Sequence, residues 1–145
     1  MLVHYADLLK YICKQFFGWN GKKDDKGRTL LQYVGTDVIR TKSPNYWVGF
    51  IADMLRFFPD EWDYVIIPDT RFPNEISTLR INEFPVTHIR VIRPGFQTQL
   101  TEEQQNHPSE TALDGIEPDE WVVNDGEVYD LFGKIQKLVK EYANG

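Results

Sequence analysis

The chain has 145 residues, of which 41% are hydrophobic and 14% aromatic, and this is enough apolar material for one compact domain spanning residues 1–145. Its 16 basic and 22 acidic side chains give a net charge of −6, which argues against binding to nucleic acids or to anionic membranes. No apolar run approaches the roughly 18 to 20 residues that a transmembrane helix needs, and no secretory signal pattern is present, so we expect a cytoplasmic protein.

The first part of the chain is predicted to be mainly helical. The letters LVHY at residues 2–5 predict a short strand, and the apolar residues of 6–17 fall on one helical face. A second helix is predicted over residues 28–39. A third helix is expected after Ser43 and Pro44, because serine suits a helix cap and proline suits the first turn.

The second part of the chain alternates between strand and helix patterns. Apolar runs and helical spacings predict, in order, a strand at 63–68, a helix at 73–82, a strand at 87–94, a loop at 95–119, a strand at 121–124 and a helix at 128–142. The run DYVIIP at 63–68 is typical of a strand that is covered on both faces. This alternation predicts an α/β fold with a mainly parallel sheet and helices on both sides.

Two charged residues follow the apolar strand at 63–68. Asp69 and Arg71 would lie at its carboxyl end, where open α/β sheets bind ligands. A carboxylate there can hold Mg²⁺, and a guanidinium can bind phosphate oxygens. Alternatively, the two side chains form an ion pair that stabilises the turn, or they cap the next helix.

A second candidate set lies on the helices near the N-terminus. The segment 30–40 places four residues on a mostly polar helical face: Gln32, Thr36, Asp37 and Arg40. An anion could bind against Arg40, or the face could be an ordinary solvated surface. Lys10 presents the same two alternatives.

The segment HPSETALD at 107–114 combines an imidazole, a hydroxyl and two carboxylates in a predicted loop. Its residues His107, Ser109 and Glu110 are suited to closing over a substrate. Alternatively, His107 is a turn residue. No serine or cysteine with a nearby histidine forms a nucleophile arrangement. The lone cysteine, Cys13, is predicted to be a buried packing residue, because free cysteine behaves as a small hydrophobe.

The phosphate-binding loop of the form GxxxxGK[ST] is absent from the sequence. The nearest approach to it, GWNGKK at 18–23, has the wrong spacing and follows no strand. A metal-dependent nuclease using Pro68 and Asp69 is a further alternative. Such a nuclease needs an acid and a lysine in the following strand, whereas this sequence has HIR at 88–90.

Six blocks of sequence are distinctive, in chain order: YADLLK (5–10), LLQYVGTDVIR (30–40), YW (46–47), VIIPDTRFPNE (65–75), HPSETALD (107–114) and VVNDG (122–126). Together they resemble the phage-type deoxynucleoside monophosphate kinases, which are similar in turn to phosphomevalonate kinases. The resemblance implies a three-layer fold of the P-loop kinase type. It also implies transfer of a phosphoryl group from ATP, with Mg²⁺, to a deoxynucleoside monophosphate.

The resemblance also implies roles for individual residues. The acceptor nucleotide would be bound by Lys10, Gln32, Thr36, Arg40, His107, Ser109 and Glu110. Asp69 and Arg71 would line the transfer site, with Asp69 near the metal. Asn124, Asp125 and Gly126 would lie near the adenine of ATP. A catalytically silent protein that only binds nucleotides is the alternative.

The resemblance implies an N-terminal strand, glycine-rich loop and helix, and we expect the present sequence to start after that unit. In the family's sheet the lost strand lies between 63–68 and 87–94, so its loss exposes unpaired backbone groups. We therefore expect either that these two strands pair directly or that another copy of the chain covers the gap. Without the loop we expect negligible kinase activity.

Overall fold

A computed structural model describes residues 1–143 and divides the chain into two compact units. The first unit comprises residues 1–86 and 100–116, and the second comprises 87–99 and the chain from residue 117 onward. Helices and a short parallel sheet are both present, which confirms the α/β class. No helix within residues 1–143 is long and apolar enough to cross a membrane.

The first unit is mainly helical. Its elements are α1 (Ala6–Phe16), α2 (Asp25–Gln32), a π-helix (Tyr33–Arg40) that continues α2, α3 (Tyr46–Phe57), α4 (Pro73–Ile81), α5 (Glu102–Gln105) and α6 (Pro108–Thr111). The predicted helices at 6–17 and 73–82 are confirmed. The predicted loop at 95–119 contains α5 and α6, both single turns.

Two helix starts differ from the sequence prediction. Helix α2 begins three residues before the predicted Arg28, because the Asp24 side chain caps it by accepting the Gly27 N–H at 2.9 Å. Helix α3 begins at Tyr46, and Ser43 and Pro44 lie in the turn before it. Its N-cap is Asn45, which makes no side-chain cap hydrogen bond.

Two apolar clusters hold the first unit together. The larger one contains Tyr5, Trp47, Val48, Ile51, Ala52 and Leu79. The smaller one joins Cys13, Trp19 and Val34. Cys13 is completely buried, as its small apolar character predicted.

The strands predicted at 2–5 and 63–68 are reduced to a single parallel bridge between Leu2 and Ile66. The Val3 N–H donates to the Ile66 carbonyl at 3.1 Å, and the Ile66 N–H donates to the Met1 carbonyl at 2.9 Å. The expected burial on both faces is wrong for Tyr64 and Ile66, which are 53% and 61% exposed. Among the described residues, the short 1–3 segment is the partner of this run, and so short a partner cannot support a longer ladder.

The second unit contains β1 (Ile89–Ile92), β2 (Glu120–Val123) and α7 (Val128–Ala143). The two strands pair in parallel, with Ile89 opposite Glu120 and Ile92 opposite Val123. The predicted strands at 87–94 and 121–124 are therefore confirmed in shortened form. In the part of the chain that the structure describes, 63–68 makes one bridge to the segment 1–3 and β1 pairs with β2. Direct pairing of 63–68 with 87–94, or cover by another copy, stays a prediction.

Replacing Ile51 by alanine should lower the free energy of unfolding by about 2–5 kcal/mol, because the change leaves a cavity in the larger cluster. Ile51 is 2% exposed, whereas Ile81 is 80% exposed. The same substitution at Ile81 is the matched control and should change stability by less than about 0.5 kcal/mol. Urea denaturation followed by circular dichroism measures both, and equal effects would contradict this description of the core.

Candidate functional site

Asp69 caps the first helix. Its Oδ1 atom accepts the Tyr5 N–H at 3.0 Å and its Oδ2 atom accepts the Ala6 N–H at 2.9 Å. These are among the backbone donors that have no partner inside a helix at its start. The sequence suggested a cap for the following helix, but the structure shows Asp69 capping α1, more than sixty residues earlier. Asp69 thereby fixes the start of the helix that carries Lys10.

Glu75 organises the turn after Asp69. Its Oε1 atom lies 2.5 Å from Nη2 of Arg40, and its Oε2 atom accepts the N–H groups of Arg71 and Phe72 at 2.7 and 3.0 Å. The Glu75 side chain is 2% exposed. Burial raises the pKa of Glu75, while the two backbone N–H groups and Arg40 oppose that rise. Sequence reasoning missed this residue, although a glutamate at the third position of a predicted helix is a known capping signal.

Arg40 is held through both terminal nitrogens of its guanidinium. Its Nη1 atom donates to the Pro44 carbonyl and to Asn74 Oδ1, both at 3.2 Å. Its guanidinium lies over the Phe72 ring, 3.8 Å from the centroid. Together with the Glu75 pair, these contacts lock Arg40 against the turn.

Arg71 reaches α6 from the same turn. Its Nη1 atom donates to the Ser109 carbonyl at 2.9 Å and also pairs with the Glu110 carboxylate. His107 caps α6, since its Nδ1 atom accepts the Ser109 N–H at 3.2 Å. The other ring nitrogen of His107 lies 3.3 Å from Asp37 Oδ1. His107 therefore acts here as a support for Ser109.

These residues surround a pocket of about 260 Å³ that lies entirely within the first unit. We call it the cationic pocket, because five Lys and Arg side chains line it: Lys10, Lys23, Arg28, Arg40 and Arg71. The structure also brings the predicted residues Gln32, Thr36, Asp69, Ser109 and Glu110 to its walls. His107 is not among the lining residues and contacts the pocket through Ser109.

Sequence reasoning missed Lys23 and Arg28. Arg28, Gln32, Thr36 and Arg40 are spaced by four residues, and all four line the pocket. An α-helical turn holds about 3.6 residues, so residues spaced by four advance slightly around its axis. A π-helical turn holds more residues, so the same spacing falls slightly short of a full turn. The continuous α2 and π-helix thus keep the series on one face. The four-residue spacing is visible in the sequence, but the π-helix could not be predicted from it.

Gly35 allows the π-helix to lie against α1. A Cβ atom at this position would lie 2.6 Å from a methyl carbon of Leu9. The Gly35 carbonyl accepts the indole N–H of Trp47 at 3.1 Å. The glycine thus brings the pocket's two main helical walls into contact.

Asn124, Asp125 and Gly126 belong to the second unit and form the approach to α7. The Asn124 N–H donates to the Ile92 carbonyl at 2.6 Å. Lys134 lies 2.6 Å from Asp125 and lowers the pKa of that exposed carboxyl. A Cβ atom at Gly126 would lie 2.6 Å from Asp130. The predicted contact with adenine stays a prediction.

The described residues do not form a magnesium site on their own. No three His, Cys, Asp or Glu side chains within residues 1–143 converge as metal ligands. Asp69, the predicted ligand, already accepts two backbone N–H groups. Magnesium is commonly held by one or two carboxylates together with substrate phosphates, so the residues present do not fit a resident ion.

Comparison with known proteins identifies relatives of one kind. The sequence profile of the deoxynucleotide monophosphate kinases matches residues 8–135. The deoxynucleotide monophosphate kinase of Enterobacteria phage T4 is 36% identical over 115 residues, covering 78% of this chain and 45% of the phage protein. That of Escherichia phage RB69 is 33% identical over 115 residues, covering 78% and 44%. The chain thus spans less than half the length of these relatives. No solved structure matches it.

Replacing Asp69 by asparagine should lower the free energy of unfolding by about 1–2 kcal/mol, because an amide nitrogen cannot accept the second backbone N–H at the start of α1. Asp53→Asn is the matched control, since Asp53 is 64% exposed and pairs with Arg56 on its own helix. It should change stability by less than about 0.5 kcal/mol. Thermal and urea unfolding measure both, and an Asp69→Asn chain as stable as the control would show that the cap is unimportant.

Proposed function

The chain belongs to the deoxynucleotide monophosphate kinase family, and we propose that its cationic pocket binds the phosphate of a deoxynucleoside monophosphate. That nucleotide would be the acceptor of a phosphoryl group from ATP. One observation carries the proposal: five basic side chains of a protein with net charge −6 converge on a single pocket. Phosphoryl transfer requires chiefly that the phosphates be positioned and their charge neutralised, and such a pocket supplies both.

In this proposal, each residue's role is assigned from its position in the pocket lining and from its contacts. Arg71 is 46% exposed, so its guanidinium can turn from Glu110 towards an incoming phosphate. Gln32 and Thr36 supply polar groups beside it. Asp69 acts by positioning, because it holds the start of α1 and therefore Lys10. His107 holds Ser109, whose segment closes one side of the pocket.

The family membership also supports the finer fold and the ATP donor. A three-layer fold with a mainly parallel sheet would need parallel pairing, and both pairings among the described residues are parallel. Adenine contacts at Asn124–Gly126 belong to the same proposal. ATP would bring Mg²⁺ with its phosphates, since that metal prefers phosphate and water oxygens.

A nucleotide-binding protein without transfer is the second candidate. It is favoured by the absence of GxxxxGK[ST] from these 145 residues, because that loop cradles and orients the donor phosphates. Both candidates require the same acceptor pocket. They differ in whether these 145 residues phosphorylate the bound nucleotide.

Calorimetric titration should detect binding of deoxynucleoside monophosphates. The corresponding deoxynucleosides, which lack the phosphate, should bind at least about tenfold more weakly, because charge-assisted hydrogen bonds are worth about 1.5–3 kcal/mol. Arg71→Gln should weaken monophosphate binding by a similar factor. Arg56→Gln is the matched control, because Arg56 is 50% exposed and lies outside the pocket. Equal affinity for nucleotide and nucleoside would overturn the proposed function.

A coupled assay with ATP, Mg²⁺ and each deoxynucleoside monophosphate should give no turnover above background for this chain. The reason is the missing backbone cradle for the donor phosphates. The phage T4 kinase, run in parallel, shows that the assay works. Robust turnover by the 145-residue chain would contradict this prediction and exclude the silent binder.

A further inference from the structure

We infer that Arg28 and Lys23 contact the acceptor phosphate directly, together with Arg71 once it has turned from Glu110, whereas Arg40 positions the pocket wall. This inference rests on the proposed function and assigns the binding to residues that the resemblance does not name. It follows from which basic groups in the pocket already have partners.

The three basic residues predicted from the sequence are all paired with carboxylates. Lys10 Nζ lies 3.0 Å from Asp7, and Arg71 pairs with Glu110. Each pair cancels most of the charge that an incoming phosphate would meet. A phosphate must therefore displace a carboxylate before it can bind Lys10 or Arg71.

Arg40 is the most restricted of the three. Its Nη atoms donate to Pro44, Asn74 and Glu75, and its Nε atom is buried without a hydrogen-bond partner among the described residues. Its side chain is 12% exposed and lies against Phe72. Arg40 is thus built into the wall and acts as a positioning residue.

Arg28 and Lys23 differ from these three. Both line the cationic pocket. Within residues 1–143, neither side chain forms a hydrogen bond or an ion pair. Arg28 is also half-buried, and a partly desolvated guanidinium without a partner is unfavourable until an anion binds it. The pocket's uncompensated positive charge is therefore concentrated at these two residues.

The segment that carries them is fixed in place. The Trp19 indole N–H donates to the Lys22 carbonyl at 2.9 Å, next to Lys23 in the chain. A Cβ atom at Gly27 would lie 2.1 Å from that same carbonyl, so only glycine fits there. Asp24 caps α2 and so orients Arg28 one turn into the helix. The backbone that carries both residues is thus fixed before a ligand binds, which lowers the entropic cost of binding.

Calorimetric titration of the full chain with the four deoxynucleoside monophosphates tests this inference. Arg28→Gln and Lys23→Gln should each weaken binding by about tenfold, the usual effect of losing one charge-assisted hydrogen bond. The affinity for the matching deoxynucleosides should not change in either variant. Arg28→Lys should retain more of the affinity than Arg28→Gln, because the charge is kept while the planar fork is lost.

The matched controls are Lys26→Gln on the same helix and Lys22→Gln on the same loop. They remove the same charge outside the pocket lining and should change monophosphate affinity by less than about twofold. If Lys23→Gln and Arg28→Gln bind as tightly as the controls while the unaltered chain prefers nucleotides, the inference is wrong and the proposed function stands. If the unaltered chain binds no monophosphate, both are wrong. The Lys23 side chain is exposed, so its variant reports on binding even if Arg28→Gln is unstable.

Discussion

The buried carboxylate of Glu75 connects the parts of the first unit that form its pocket. One oxygen binds Arg40 of the π-helix, and the other accepts the N–H groups of Arg71 and Phe72. A carboxylate that is 2% exposed is tolerated because all of these donors point at it, and removal of one partner would leave a buried charge uncompensated. The Glu75 network therefore joins the turn that carries Arg71 to the helix that carries Thr36.

The same arrangement bears on the anion site that we propose for this acidic protein. Most of the pocket's basic groups are neutralised locally by a nearby carboxylate, and such pairs hold side chains in fixed positions more than they attract ligands. Arg28 and Lys23 are left with their charge uncompensated among the described residues. In the proposed site, attraction is thus confined to one wall of the pocket, while the chain as a whole carries a net charge of −6.

Several features of the site were accessible to sequence reasoning. The helical spacing of Gln32, Thr36 and Arg40 predicted a shared face, and all three line the pocket. The position of Asp69 and Arg71 after an apolar run predicted that they would lie near a ligand site, and they share the same pocket with Lys10. Which basic residues pair with carboxylates could not be predicted from the sequence, because it depends on contacts between residues far apart in the chain. Glu75 is 35 residues from Arg40, and Glu110 is 39 from Arg71.

The sequence by itself determined the α/β class, the helices around 6–17 and 73–82, and the family, because periodicity and short motifs are local properties of the chain. Tertiary structure decided that Asp69 caps α1, that the apolar run at 63–68 has a short partner and an exposed side, and that α2 continues as a π-helix. It also decided which basic groups are neutralised. The physical reason is the same in each case. Each feature depends on which segments contact each other, and those segments meet only after folding.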